Sequence, residues 1–220
     1  MGYLPYDITI KTTTWIIILV FLGIIASYFL MRSLKAEEKS QKDIFRAMAL
    51  FFYFYILARI FFIFSDFERD LNDTTLLHYR FVALAYIAYI LGFLSLIYIL
   101  EKHVIIRTKH KITYILLVTL GVNIVIAFFP ELMPIVRYIN YGILYFEVVI
   151  VFIIYTYLTI NTTGKLRTKS FLTVIALIIM VFGELIESEP LIASGIVLVY
   201  YTPILFAIGA SIFAYAQSRS

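Results

Sequence analysis

The sequence predicts an all-α polytopic membrane protein, a seven-transmembrane helix bundle with its N-terminus outside and its C-terminus in the cytoplasm. Three observations predict it. Of 220 residues, 63% are hydrophobic and 15% charged, against an apolar share of roughly 45–50% in soluble domains. The charges cluster between long apolar runs instead of spreading along them. Those runs reach the length of about 20 residues that a helix needs to cross a hydrocarbon core about 30 Å thick. They lack period-2 alternation, so helices satisfy the backbone in lipid and a barrel is excluded.

The predicted spans, in order, are Thr13–Met31, Arg46–Asp66, Tyr79–Leu100, Ile112–Phe129, Pro134–Leu158, Ser170–Ile186 and Leu191–Ala216. The first is too long, and too poor in preceding positive charge, to be a cleaved signal. The second is strongly aromatic and carries Arg59 in its interior. The third has a tyrosine face of Tyr79, Tyr86 and Tyr89, which packing and interfacial belts explain better than an aromatic ligand cage. Pro130 and Pro134 bracket the turn between the fourth and fifth spans. Asn161-Thr-Thr-Gly is a turn after the fifth, and Glu189–Pro190 one after the sixth. In the seventh, Pro203 is expected to kink the helix, while Ala207, Ala210, Ser211 and Ala214 give it a small-residue face suited to close packing or self-association. The whole chain, residues 1–220, reads as a single transmembrane domain.

Orientation follows from lysine and arginine. Thirteen lie in the first, third and fifth loops and the tail, including Arg32–Arg46, Lys102–Lys111 and Lys165–Lys169. Four lie on the other side: Lys11, Arg69, Arg80 and Arg137. The basic side is therefore expected to be cytoplasmic. The same distribution argues against nucleic acid as the target of the net charge of +4, because the excess obeys a topology rule. The expected location is the cell membrane, and the expected partner is the lipid bilayer.

Polar groups inside the spans are the candidate site, because ionisable side chains in hydrocarbon are expensive. With about 1.5 Å of rise per residue, Arg59 and Glu184 fall about 20 Å from the inner face, and Glu147 about 20 Å from the outer one. Asn123, Asn140 and Tyr201 fall in the same region. The predicted ligand-binding set is thus Arg59, Asn123, Asn140, Glu147, Glu184 and Tyr201, forming a polar layer in the outer half. Tyr55, Arg59 and Asp66 make one stripe on the second span, and Ser194 shares a face with Tyr201. The functional reading gives Arg59 an anionic ligand and makes Glu147 a titratable or cation-binding carboxylate. The structural reading instead pairs Arg59 with Glu184 as a clamp between helices and makes the amides interhelical glue.

The chain lacks cysteine. His78, His103 and His110 lie at span ends or in loops, so neither a metal nor a haem is expected, and no cofactor is implied. No catalytic aspartate pair, serine–lysine or serine–histidine arrangement is read within the spans, so a non-enzymatic protein is expected. The plan resembles that of seven-helix receptors in architecture alone. Leu191–Ala216 has no lysine for a retinal Schiff base, the third span ends LIYILEKH, and YYTPILF stands where those receptors carry an Asn-Pro motif. No family is assigned. The expected function is a receptor or sensor that takes a small molecule or ion from outside and signals to a cytoplasmic or membrane protein. The alternatives are a small transporter or channel using Glu147 and a structural accessory subunit, and homo-oligomers stay open.

Overall fold

The computed structural model describes residues 6–72, 74–187 and 200–218, and the side chains at positions 107, 144 and 147 fall outside the description. The described residues form seven α-helices and no strand: α1 (Ile8–Lys35), α2 (Lys39–Asn72), α3 (Leu76–His103), α4 (Lys111–Phe128), α5 (Met133–Asn161), α6 (Gly164–Ile186) and α7 (Thr202–Ser218). Single 3₁₀ turns at Ile106–Thr108 and Pro130–Leu132 precede α4 and α5.

Local chemistry sets the helix starts. Asp7 Oδ1 accepts from the Thr9 and Ile10 amides at 2.8 and 3.2 Å, satisfying the first free N–H groups of α1. Thr75 caps α3 in the same way, its Oγ1 accepting from the His78 amide at 3.1 Å. Gly164 opens α6 with φ of 63°, a backbone conformation that glycine adopts without a Cβ clash. Pro203 is the second residue of α7 and belongs to its first turn. There its missing N–H leaves no hydrogen bond unmade. It therefore starts a helix and does not kink one, and Tyr200 and Tyr201 form the turn before it. The first part of the predicted seventh span, with Ser194 and the Glu189–Pro190 turn, lies outside the described residues.

The first six helices are long and apolar enough to cross a membrane, whereas α7, at 17 residues, is apolar but shorter. The protein is an integral membrane protein. Its outward faces agree with that medium: Ile16, Ile17, Val20 and Ile24 of α1, and Tyr114, Val118 and Val125 of α4, are all exposed. Such continuous apolar surface is unfavourable in water. The helices outrun the predicted spans. The 34 residues of α2 extend about 51 Å, well beyond a hydrocarbon core of about 30 Å. Its charged ends continue the helix past the apolar run.

The helices divide between two compact units, one of Leu22–Leu144 and one of Leu4–Phe21 with Tyr145–Ser220. In the first, α2 packs most extensively on α3, and α3 packs on α4. Phe29 stacks on Phe45 and Phe52, with centroids 6.3 and 6.0 Å apart, and Tyr55 meets Tyr89 edge-on at 5.3 Å. Where α2 and α3 come closest, a Cβ on Gly92 would lie 3.3 Å from the Phe51 carbonyl oxygen. Ser95 Oγ nearby donates to the Ala47 carbonyl at 3.1 Å. A second cluster gathers Val82, Ala83, Tyr86, Ile126 and Met133.

In the second unit α6 packs on α7. The buried face of α7 carries Thr202, Phe206, Gly209, Ala210, Phe213 and Ala216, while Ser211 and Tyr215 are exposed. The small-residue face of the sequence reading is thus rotated, with Gly209 at the point of contact. A Cβ there would meet the Ala176 carbonyl oxygen at 2.8 Å and would overlap Met180 Cγ.

That contact predicts an asymmetric glycine scan. Gly209→Ala should destabilise the protein by about 1–3 kcal/mol through overpacking against backbone. Gly142→Ala, where an added Cβ meets nothing within 4 Å, should be neutral or stabilising by up to about 1 kcal/mol. Melting temperatures in detergent check both. Equal effects would sink the close-contact account.

Candidate functional site

Arg59 is 4% exposed on the buried face of α2. A helical spacing of four sets Tyr55 one turn below it, and its Nε donates to the Tyr55 hydroxyl at 3.0 Å. Three rings surround the guanidinium: Tyr55 at 5.4 Å, Phe62 at 5.7 Å and Tyr89 of α3 at 6.0 Å to their centroids. These distances lie in the range of cation–π attraction, which strengthens as water is removed. The ring series continues from Phe62 to Tyr86 at 5.8 Å and from Tyr86 to Tyr141 at 6.2 Å. Arg137 lies over Tyr141 at 5.8 Å. The strip thus carries an arginine at each end and aromatic faces between them.

Asn123 of α4 and Asn140 of α5 are both buried and form a reciprocal amide pair. Asn123 Nδ2 donates to Asn140 Oδ1 at 2.9 Å, and Asn140 Nδ2 donates to Asn123 Oδ1 at 2.7 Å. Asn123 Nδ2 also reaches the Thr119 carbonyl at 3.0 Å. Two amides that consume each other's polar capacity tie helices together. Of the remaining predicted residues, Glu184 is partly buried on α6, and Tyr201 is 57% exposed in the turn before α7. Tyr201 thus precedes the helix that was expected to contain it. Glu147 lies on α5, and its side chain is outside the description.

Several buried polar groups escape the sequence reading. Lys11 and Glu187 form an ion pair whose side chains are 6% and 11% exposed, although both read as surface charges. The Tyr6 hydroxyl lies 3.3 Å from Lys11 Nζ, which also sits 4.8 Å above the Tyr6 ring. Ser65 and His78 are buried partners across the α2–α3 turn. His78 Nδ1 is 2.8 Å from Ser65 Oγ and 3.0 Å from the Ser65 carbonyl. This is a serine–histidine arrangement that the sequence reading does not contain. Its two members stand 13 residues apart and meet only because the turn folds α3 back on α2. Glu101 is buried and accepts from the Ile112 amide at 3.1 Å, the Thr113 amide at 2.9 Å and Thr113 Oγ1 at 2.5 Å. A carboxylate from α3 thereby satisfies the open N-terminus of α4. In the second unit Gln217 Nε2 donates to Thr173 Oγ1 at 2.9 Å and joins α7 to α6. Among the described residues, no three His, Asp or Glu side chains gather into a metal-holding cluster.

The fold and these polar groups define the class, a polytopic helical membrane protein whose spans carry an arginine and a buried amide pair. Comparison of the chain with protein-family models, with curated proteins and with solved structures finds no match.

The amide pair predicts a measurable coupling. Asn123→Leu and Asn140→Leu should each cost about 1–2 kcal/mol, since each leaves a buried amide without its partner. The double variant should recover about 1 kcal/mol of the sum. Unfolding free energies in mixed micelles check this, and strict additivity would refute it. Glu101→Ala should raise amide hydrogen exchange in the first turn of α4 by about tenfold while leaving α2 unchanged.

Proposed function

We propose that the protein is a non-enzymatic membrane receptor or sensor that takes an anionic small molecule on Arg59. The Asn72–Leu76 end of the α2–α3 pair faces outward in this reading, and the Arg32–Arg46 and Lys102–Lys111 segments face the cytoplasm. The observation that supports it is the buried guanidinium ringed by Tyr55, Phe62 and Tyr89. A cation kept inside a span at a cost of several kcal/mol is a functional group by default. Aromatic rings stack on the faces of a guanidinium, and its in-plane N–H edge is the part that grips a carboxylate or phosphate in two-pronged fashion. Lysine offers no such fork.

The test is a thermal-shift series with short carboxylates, fatty acids and organic phosphates. At least one should raise the melting temperature of wild type, as binding to the folded state requires, and leave Arg59→Gln and Arg59→Lys unmoved. Shifts that are equal in wild type and variants would remove Arg59 from ligand binding.

The Asn123–Asn140 pair supports a second reading, a structural subunit whose polar layer only fastens helices. In that case Arg59→Gln lowers stability and no compound rescues wild type. The transporter alternative rests on Glu147. Proteoliposomes under imposed proton, sodium and potassium gradients should be silent for a receptor. Flux that Glu147→Gln abolishes would replace the receptor reading with a transporter.

A further inference from the structure

Four helix ends of the first unit meet at one place. Arg32, near the end of α1, lies 5.3 Å above the Phe45 ring at the start of α2. Lys102 and His103, at the end of α3, bind Asp43 of α2 at 2.9 and 3.4 Å. Glu101 of α3 holds the first turn of α4. Five basic residues lie between Arg32 and Arg46, and four between Lys102 and Lys111. The acidic residues of these segments are Glu37, Glu38, Asp43 and Glu101. Two of those carboxylates are consumed internally, Asp43 by Lys102 and His103 and Glu101 by α4. Lys35, Lys39, Arg46, Lys109 and Lys111 are exposed. The other end of the unit has the reverse balance, with three arginines against five carboxylates over residues 66–80 and 129–137.

We infer that this end of the first unit is a binding surface for the headgroups of anionic phospholipids. Charge alone also satisfies a topology rule, so the choice of occupant rests on what stands between the charges. Leu34 and Ile106 are each 69% exposed, beside Lys35 and Arg107 in sequence. Large apolar side chains set among lysines suit the boundary between headgroups and acyl chains, where both kinds of group find a favourable medium. Height agrees with this. Lys39 precedes Ala47, where the uninterrupted apolar run of α2 begins, by eight residues, or about 12 Å of helix. Lys39 then stands a few ångströms outside a headgroup layer about 5–8 Å deep, within the length of a lysine side chain of it.

The experiment is native mass spectrometry of the full chain, purified in detergent and exchanged through mixed micelles of equal phosphatidylcholine and phosphatidylglycerol. Phosphatidylglycerol should be retained about fivefold or more over phosphatidylcholine at 0.15 M salt, the scale set by attraction of a few basic groups. The preference should collapse near 1 M salt, where screening acts within about 3 Å. It should also fall in the Lys35→Gln, Lys39→Gln, Lys111→Gln triple variant at an unchanged melting temperature. If that variant fails to fold, the salt series on wild type decides. Equal retention of the two lipids, a preference untouched by salt, or one untouched in the folded triple variant would each overturn the inference. Displacement of the lipid by 10 mM inorganic phosphate would also overturn it, because a free anion would then suffice.

Discussion

Hydrocarbon cannot hydrogen-bond, and the rest of this structure depends on that constraint. Every N–H and C=O within a span must be answered inside the chain, which leaves helices as the backbone solution. Many polar side chains obey the same rule. Thr119, Thr159 and Thr173 turn their hydroxyls back to carbonyls four residues earlier in their own helices. Groups too large for that local solution find partners on another helix. Asn123 takes Asn140, His78 takes Ser65, and Gln217 takes Thr173. Arg59, with five donors to satisfy, uses Tyr55 and a ring of aromatic faces. The polar interior is therefore a set of pairings, each of which fixes the rotation of two helices.

Pairing alone does not hold helices together in lipid, because the surrounding tails are as apolar as leucine. What remains is close contact, and the two best-packed helix pairs reach it differently. α2 and α3 combine small residues at the seam with a layer of rings, Gly92 against the Phe51 backbone and Tyr55 against Tyr89. α6 and α7 rely on Gly209 lying against the Ala176 carbonyl. The first solution matters for function, since the rings that pack α2 on α3 are also the rings that enclose Arg59. Stability and the candidate site share side chains there, and a guanidinium fixed by packing is already oriented before any ligand arrives.

The helices were legible in the sequence because apolar length is a direct physical requirement of the bilayer. Their ends were not. Lys39, Lys42 and Asp43 are polar enough to end an apolar count yet favourable enough to continue a helix, so α2 starts seven residues before its predicted span. Pro203 falls inside the predicted seventh span and therefore reads as a kink, whereas it lies in the first turn of α7. Within the site, counting rise per residue placed Asn123 and Asn140 in one layer, and their mutual hydrogen bonds are consistent with that height. It could not supply the rotation of α4 against α5 on which the pairing depends. Lys11 and Glu187 illustrate the harder case. Each sits at the edge of an apolar run and reads as a solvated charge, and only the approach of chain segments 176 residues apart buries them together. The spacing of Ser65 and His78 on either side of a turn was the one signal that could have found that pair.

Arg59 differs in kind from these groups, and the difference carries the functional argument. Asp43 with Lys102 sits near helix ends, where a charge can reach water or headgroups, and Lys11 with Glu187 is a buried pair of opposite charges. Asn123 and Asn140 are neutral, so their burial costs no ionic desolvation. Arg59 lies in the middle of α2, 20 residues from its first residue and 13 from its last. Its guanidinium also meets the Tyr89 ring of α3, so its charge contributes to the α2–α3 seam as well. What only the guanidinium supplies is a fixed positive fork in a medium of low dielectric, where attraction to an anion is far stronger than in water. Under the receptor reading proposed above, that property is the one an anionic ligand would use.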